Sequence, residues 1–292
     1  LIKRYKRIVG KRGIDRARKD HYSKRKPIAC GLTIHPGYNC SFGCIYCYIT
    51  ELGFRFGKPK LNKLSKEELA LALLYNPNFE IGRTYLAIGS ITEPFLPELE
   101  DRTIDYISEL AKFKNPIQFS TKAWISKNKA RQIFNICQWI SPLITIITLD
   151  LEKAKLLEPG APPPNKRLRT IQNLARAGMK PFLFLRPLLR GIVGLEECIE
   201  LIKIALERGA HGVVVGSLRI NKRIFERMSG RFELGEIRRR IGGISLSQKE
   251  IDCEDIIVEL MKEFKGCPIF RRACCASAYC SGLERCYHEN LR

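Results

Sequence analysis

Cys40, Cys44 and Cys47 stand within the stretch NCSFGCIYCYIT, with Tyr46 and Tyr48 on either side of the last thiol. Thiolates bind soft metals, and iron–sulfur clusters prefer them. A four-iron cubane takes four ligands to be fully covered, so three from one short loop leave one iron open to a small molecule. Zinc asks for a fourth close ligand, for which His35 and the later cysteines are the ordinary candidates. A second group, Cys267, Cys274, Cys275, Cys280 and Cys286, crowds the C-terminal tail together with His288. These residues are numerous enough for a second iron–sulfur cluster. A zinc knuckle using Cys280, Cys286 and His288, and one or two disulfides, are the other readings. Cys137 and Cys198 lie on apolar stripes and read as small core residues.

The elements that would position these groups alternate. IACGLTIHP, TYLAIGS, PIQFSTK, LITIITLD, KPFLFLRPLL and AHGVVVGSLRI read as strands. Between them SKEELALALLYN (with Ser65 as N-cap), ELEDRTIDYISELAKF, SKNKARQIFNICQWI, PNKRLRTIQNLARAG and GLEECIELIKIALERG read as helices. Apolar strands alternating with helices predict a parallel sheet covered by helices, wound right-handed. The expected fold is therefore α/β, a partial (β/α)6 TIM-like barrel. Its chemistry belongs at the C-terminal ends of the strands, where GSITEP, STK, TLD and LRP fall. Three regions are expected: a basic N-terminal arm over 1–27, the barrel over 28–220, and a basic, Cys-rich extension over 221–292. The extension carries Arg238, Arg239 and Arg240 in a row, then a short helix around 249–265.

Of the chain's 292 residues, 51 are Lys or Arg and 30 are Asp or Glu, for a net charge of +21. A field of that sign attracts polyanions. A Lys-rich thermophile surface is the bland alternative, but such surfaces balance Lys with Glu and this one does not. Nucleic acid, RNA or DNA, is the expected partner. The arm holds twelve Lys and Arg against Asp15 and Asp20, with Tyr5 and Tyr22 interleaved, and reads equally as a solvated, partly disordered tail or a phosphate-tracking strap. No run of 18 apolar residues predicts a membrane span, and the basic start is not followed by an apolar signal core. A cytoplasmic location is expected, where twelve cysteines point first to metal or catalysis.

The CxxxCxxC spacing, with an aromatic before the last cysteine and after the first strand of a β/α barrel, resembles the radical S-adenosylmethionine superfamily. HPGYNCSFGCIYCY, GSITEPF, FSTK, ITLD, LEPGAPPPNKRLRTIQNLARAGM and RPLLRGI together resemble its spore photoproduct lyase-like group, from about residue 28 to 220. The resemblance implies a [4Fe–4S] cluster on Cys40, Cys44 and Cys47, whose open iron chelates S-adenosyl-L-methionine. One electron, from a reductant such as ferredoxin or flavodoxin, then cleaves the sulfonium, and a 5′-deoxyadenosyl radical takes hydrogen from the substrate. It implies Tyr46 near the adenine, and Gly89, Ser90, Thr92 and Glu93 at the methionine amine. Thr121 and Lys122 would face the carboxylate, Asp150 and Arg186 would belong to the same mouth, and Tyr48 would take part in hydrogen transfer. Arg167, on a helix face, reads as a solvated charge. One departure stands out: the lyases place a hydrogen-donating cysteine after the strand that here reads YLAIGSITEP, where this chain has Gly89 and Ser90.

Three function classes follow. The first is a radical enzyme that modifies or repairs nucleic acid. The second is a peptide- or protein-modifying radical enzyme with an auxiliary cluster in the tail. The third is a metal-stabilised RNA-binding protein in which the three-cysteine loop is structural.

Overall fold

The fold was obtained as a computed structural model, which describes residues 1–28 and 31–283. Its helices are α1 (Ile2–Lys19), α2 (Lys66–Tyr75), α3 (Glu100–Ala111), α4 (Lys127–Ile136), α5 (Leu151–Leu157), α6 (Pro164–Arg176), α7 (Leu195–Glu207), α8 (Lys222–Ser229), α9 (Gly235–Ile241), α10 (Glu254–Glu263) and α11 (Ala273–Ser281). Its strands are β1 (Leu32–Ile34), β2 (Gly37–Tyr38), β3 (Lys60–Leu61), β4 (Leu86–Ile88), β5 (Ile117–Thr121), β6 (Ser141–Thr145), β7 (Phe182–Leu188), β8 (Gly212–Ser217), β9 (Arg219–Ile220), β10 (Lys249–Glu250) and β11 (Ile269–Phe270).

The main sheet is parallel throughout, in the order β1-β4-β5-β6-β7-β8-β11. Its first six strands keep chain order, each followed by a helical crossover, which is the expected partial barrel. Alternation along each strand sends its side chains into two different cores. Ile144, Leu183, Leu185, Val213 and Val215 join the core shared with the helices. Leu143, Phe182, Phe184 and Val214 form a separate cluster with Ala276 of α11 inside the barrel. Local signals fixed the helix starts as expected. Ser65 and Glu68 form a capping box at the start of α2, a device worth about 1 kcal/mol.

Two terminal regions pack closely on the barrel. Residues 2–19 are not a disordered tail: they are helical, with a kink at Gly10 (φ +65°), and dock on the barrel's outer layer. Tyr5 and Ala17 are buried, the Tyr5 hydroxyl donates to Glu109, and Arg16 pairs with Glu68. The stripe Tyr5, Val9, Gly13, Ala17, spaced by four, is what α1 turns toward α2. Gly13 keeps that approach close, since a Cβ would lie 2.6 Å from Val9 Cβ and 2.9 Å from Glu68 Oε1. The outer face of α1 keeps the basic residues. The C-terminal region, in turn, contributes to the sheet. β11 adds a seventh strand beside β8, and α11 packs against β5 and β6 from within. α11 lies at the N-terminal ends of the strands, where Cys280 Sγ meets the Lys180 carbonyl (3.7 Å) and the Tyr279 hydroxyl meets His211 Nε2 (2.9 Å). No helix among the described residues is long and apolar enough to cross a membrane.

Candidate active site

The cysteine loop follows β1 at the C-terminal end of the sheet, and its backbone is held from several directions. β2 and β3 pair antiparallel at its base. Cys40 N–H donates to Arg55 O (3.2 Å) and Gly57 N–H to Cys40 O (2.9 Å). Ile45 N–H donates to Leu157 O, and Gly160 N–H to Phe42 O, both at 2.9 Å. Gly160 permits that approach, since a Cβ would stand 2.7 Å from Ser41 O. From α8, Arg227 donates to Ile45 O (3.0 Å), Cys47 O (2.6 Å) and Thr50 Oγ1 (3.2 Å).

Cys44 is buried, Cys40 and Cys47 are half-buried, and none of the three is in a disulfide. Burial pushes the Cys40 thiol up to about 11 and raises Cys44 as well, a cost that ligation of a cluster by their thiolates has to overcome. Among the described residues no three His, Cys, Asp or Glu side chains converge as ligands of a single metal ion would. A cubane makes a different demand, since each thiolate takes its own iron. Three soft donors on one tied-down loop fit a [4Fe–4S] cluster held by Cys40, Cys44 and Cys47.

Behind the loop lies a buried charge network. Glu158 accepts from the Tyr46 hydroxyl with one oxygen and from Arg167 Nη1 with the other. Arg167 also donates to Pro162 O (2.6 Å) and Thr145 O (3.2 Å). The Lys122 ammonium is 3.8 Å from Glu158 and 5.7 Å from the centre of the Tyr46 ring. Burial works against the Lys122 charge, but Cys44 and Glu158 outweigh it and hold the group above the ordinary lysine range. Burial and Glu158 raise the Tyr46 phenol. Arg167 is 1% exposed, which overturns its reading as a solvated charge. Glu158 was missed because nothing local marks it as buried and Tyr46 reaches it across 112 residues, although it lies in the LEPG segment that carried the family resemblance. Arg227 carried no local signal.

The remaining expected residues divide. Glu93 is buried and accepts from Thr121 Oγ1, Lys122 N–H (2.8 Å) and Phe95 N–H (3.2 Å), while burial raises its carboxyl. It ties the end of β4 to the end of β5. Thr92 donates to Asn39 O, against the cysteine loop. Asp150 is exposed and caps α5, accepting from Glu152 N–H (2.9 Å) and Lys153 N–H (3.0 Å). Its oxygen is spent on the helix N-terminus rather than the mouth. The Arg186 side chain runs across Gly216, where a Cβ would lie 2.8 Å from its Cδ. Tyr48 donates to Ser90 O (2.8 Å), and its phenol is raised by burial and by Cys47. Tyr48 and Ser90 line a cleft of about 520 Å³ with Thr33, His35, Tyr38 and Phe54. That volume suits a small-molecule or single-nucleotide ligand.

The tail cysteines lie at the far end of the barrel from Cys40, Cys44 and Cys47. Cys274 and Cys275 pack with Tyr85, Cys280 with Phe182 and Phe270, and Cys267 against the outer core. Cys286 and His288 fall outside the described residues. The described tail cysteines are thus spread over three packing environments.

Gly89 closes β4 with φ +101°, and a Cβ there would stand 2.5 Å from Ser120 O. Gly89→Ala is expected to lose roughly 2–3 kcal/mol of stability. Gly53→Ala, at φ +84° with open space around it, is expected to lose about 1 kcal/mol. Urea midpoints measure both, and equal losses would show that the β4–β5 contact is not tight.

The Radical SAM superfamily model matches residues 34–205. An uncharacterized protein, ORF301, of Acidianus two-tailed virus is 19% identical over 173 residues, 56% of this chain and 58% of that one. The chain thus spans less than two thirds of that curated relative. Among solved structures, a spore photoproduct lyase variant with bound AdoMet and dinucleoside spore photoproduct superimposes with a TM-score of 0.62 at 17% identity, covering 90% of this chain and 86% of that one. Streptococcus suis SuiB bound to S-adenosylmethionine gives 0.56 at 14% identity, covering 82% of this chain and 49% of that one. These likenesses share the partial barrel. The family match covers more than half of the sequence and takes in the cysteine loop, the ends of β4 to β6 and the Glu158 network, so the chain belongs to the radical SAM superfamily.

Proposed function

We propose that this enzyme modifies or repairs a nucleic acid, tRNA, rRNA or DNA, by hydrogen abstraction. The observation that carries the reading is the cleft of about 520 Å³ beside the cysteine loop, on a chain of net charge +21. When bound, a [4Fe–4S] cluster on Cys40, Cys44 and Cys47 supplies the electron that cleaves S-adenosylmethionine and releases a hydrogen-abstracting radical. The chain's own residues orient and shield that chemistry. Arg227 and the 157–160 segment keep the loop fixed. Glu158 is shared between Lys122 and Arg167, which leaves positive charge at Lys122 for the carboxylate of methionine. Gly89 and Ser90 lie at the mouth for the amine. Tyr48, bonded to Ser90 and lining the cleft, is the candidate for hydrogen transfer.

The lyase neighbour's dinucleoside ligand supports a nucleic-acid substrate. The reaction proposed here is not spore photoproduct repair itself. A serine O–H bond is too strong to return hydrogen to a carbon radical, and Ser90 stands where the lyases carry cysteine. The likeness to SuiB, solved with its precursor peptide SuiA, favours a second reading, a peptide substrate.

A gel shift with DNA and tRNA separates the two. Binding is expected to weaken on the order of a thousandfold between 50 and 200 mM salt if about six phosphates are contacted. Absent or salt-insensitive binding overturns the nucleic-acid reading in favour of peptide. Anaerobic reconstitution followed by iron counting completes the test. About four irons per chain mean one cluster, and about eight mean that the tail holds another.

A further inference from the structure

The cleft beside the cysteine loop is walled partly by residues that precede the family-matched region. His21 and Arg25 reach it from the turn after α1 and face Thr33, His35, Tyr48 and Ser90. That turn is fixed. Asn76 Nδ2 donates to both Tyr22 O (2.8 Å) and Arg25 O (2.7 Å), and Arg25 N–H donates to His21 O (2.9 Å). The fully buried Tyr22 accepts the His35 backbone N–H on its hydroxyl at 2.7 Å. Arg25 therefore stands in fixed register with the end of β1.

Its charge is unbalanced. Arg16, Arg167, Arg190 and Arg227 are each paired with carboxylates, whereas Arg25 has none within 4 Å among the described residues. His21 is held by Asp20 at 3.1 Å. Burial, with Arg25 and His21 adding to it, pushes His35 down to about 3, so the imidazole is neutral. It rests between Thr33 Oγ1 (3.3 Å) and Ser90 Oγ (3.5 Å). The cleft thus combines aromatic walls, Tyr38, Tyr48 and Phe54, a neutral polar floor and one uncompensated guanidinium. A guanidinium grips a phosphate through a planar fork, and unstacked bases lie against aromatic rings.

We propose that Arg25 is the phosphate clamp of the substrate cleft, holding the phosphodiester that flanks the nucleotide whose base enters it. This rests on the nucleic-acid reading above. Arg25 acts as a positioning residue. It fixes which nucleotide stands before Tyr48, and α1 with its basic outer face guides the strand toward it.

The test uses the full chain with short single-stranded DNA and RNA oligonucleotides, read by fluorescence anisotropy over a salt series. Arg25→Gln is expected to weaken binding roughly tenfold and to lower the slope of log K against log salt by about one. Arg25→Lys is expected to keep the wild-type slope and recover part of the affinity, because the charge remains and the fork is lost. Placing one neutral methylphosphonate at successive linkages adds a readout that a merely structural role would not move. One linkage is expected to weaken the wild type as much as Arg25→Gln does and to have no further effect on that variant. The clamp is overturned if the wild type binds and Arg25→Gln matches it in affinity and slope, or if every methylphosphonate adds to the variant's loss. A wild type that binds neither oligonucleotide overturns the substrate reading as well.

Discussion

Cys44→Ala is expected to take up almost no iron on anaerobic reconstitution, where the wild type takes up about four per chain, and to form no detectable 5′-deoxyadenosine. Cys44 is the most deeply buried of the three loop thiols, at 5% exposure. With two thiolates left, two irons of a cubane lack protein ligands. The variant is still expected to fold. The loop's shape rests on backbone bonds with Arg55, Leu157 and Gly160 and on the Arg227 clamp, none of which uses the sulfur. Its urea midpoint should therefore stay within about 1 kcal/mol of the wild type. The control is Cys137→Ala or Cys198→Ala, core cysteines at 0% and 1% exposure. These are expected to lose about 1 kcal/mol of stability and to keep all their iron and product. Full iron content in Cys44→Ala would remove the cluster from this loop. Loss of iron in the core variants as well would trace the defect to folding rather than ligation.

This contrast also shows what in the chain is legible from sequence. The cysteine loop is legible because its chemistry is local: three donors within eight residues need no knowledge of the fold. The six barrel strands are legible because each is an apolar run bounded by turns, and Ser65 marks a helix start through its own cap. β11 is not legible, since two residues become a strand only because β8 offers them an open edge. α1 hides behind its charge: twelve basic residues over 1–27 outweigh a stripe in which only every fourth position is apolar or small. The tail cysteines draw attention by their number, yet α11 uses small side chains such as Ala276 and Ala278 to fill the bottom of the barrel. Long-range pairing is the least legible feature. Arg227 meets the loop 180 residues away from Cys47, and Tyr46 meets Glu158 across 112. A charged residue on a helix face is ordinarily solvated, so nothing local distinguishes Arg167 until the 158–163 segment folds over it.

Arg167→Met should cost about 3–5 kcal/mol, because it strips a buried carboxylate of its closest cation. Glu158 and Arg167 are each about 1% exposed at the side chain, so water replaces neither partner. The variant also abandons the Pro162 and Thr145 carbonyls that Arg167 now satisfies. Glu158→Gln is expected to do at least as much damage, for a reason that follows from the charge count. The network holds two cations, Lys122 and Arg167, against one carboxylate. Removing Arg167 leaves Glu158 with the Lys122 ammonium 3.8 Å away, a partial substitute. Removing Glu158 leaves the buried Arg167 and the partly buried Lys122 without their shared carboxylate, repelling each other, and costs the Tyr46 hydroxyl its charged acceptor. Joining Glu158→Gln to Arg167→Met relieves that repulsion, so the double variant should be more stable than the sum of the single losses predicts, by at least about 1 kcal/mol. Urea midpoints on all four proteins complete the cycle. Additive losses, within about 0.5 kcal/mol, would mean that the two side chains act separately and that Glu158 does not organise the floor behind the cysteine loop. If the coupling is found, iron uptake by Glu158→Gln becomes informative. Tyr46 and Lys122 both lean on this carboxylate, and the loop that must present three thiolates is seated on Tyr46.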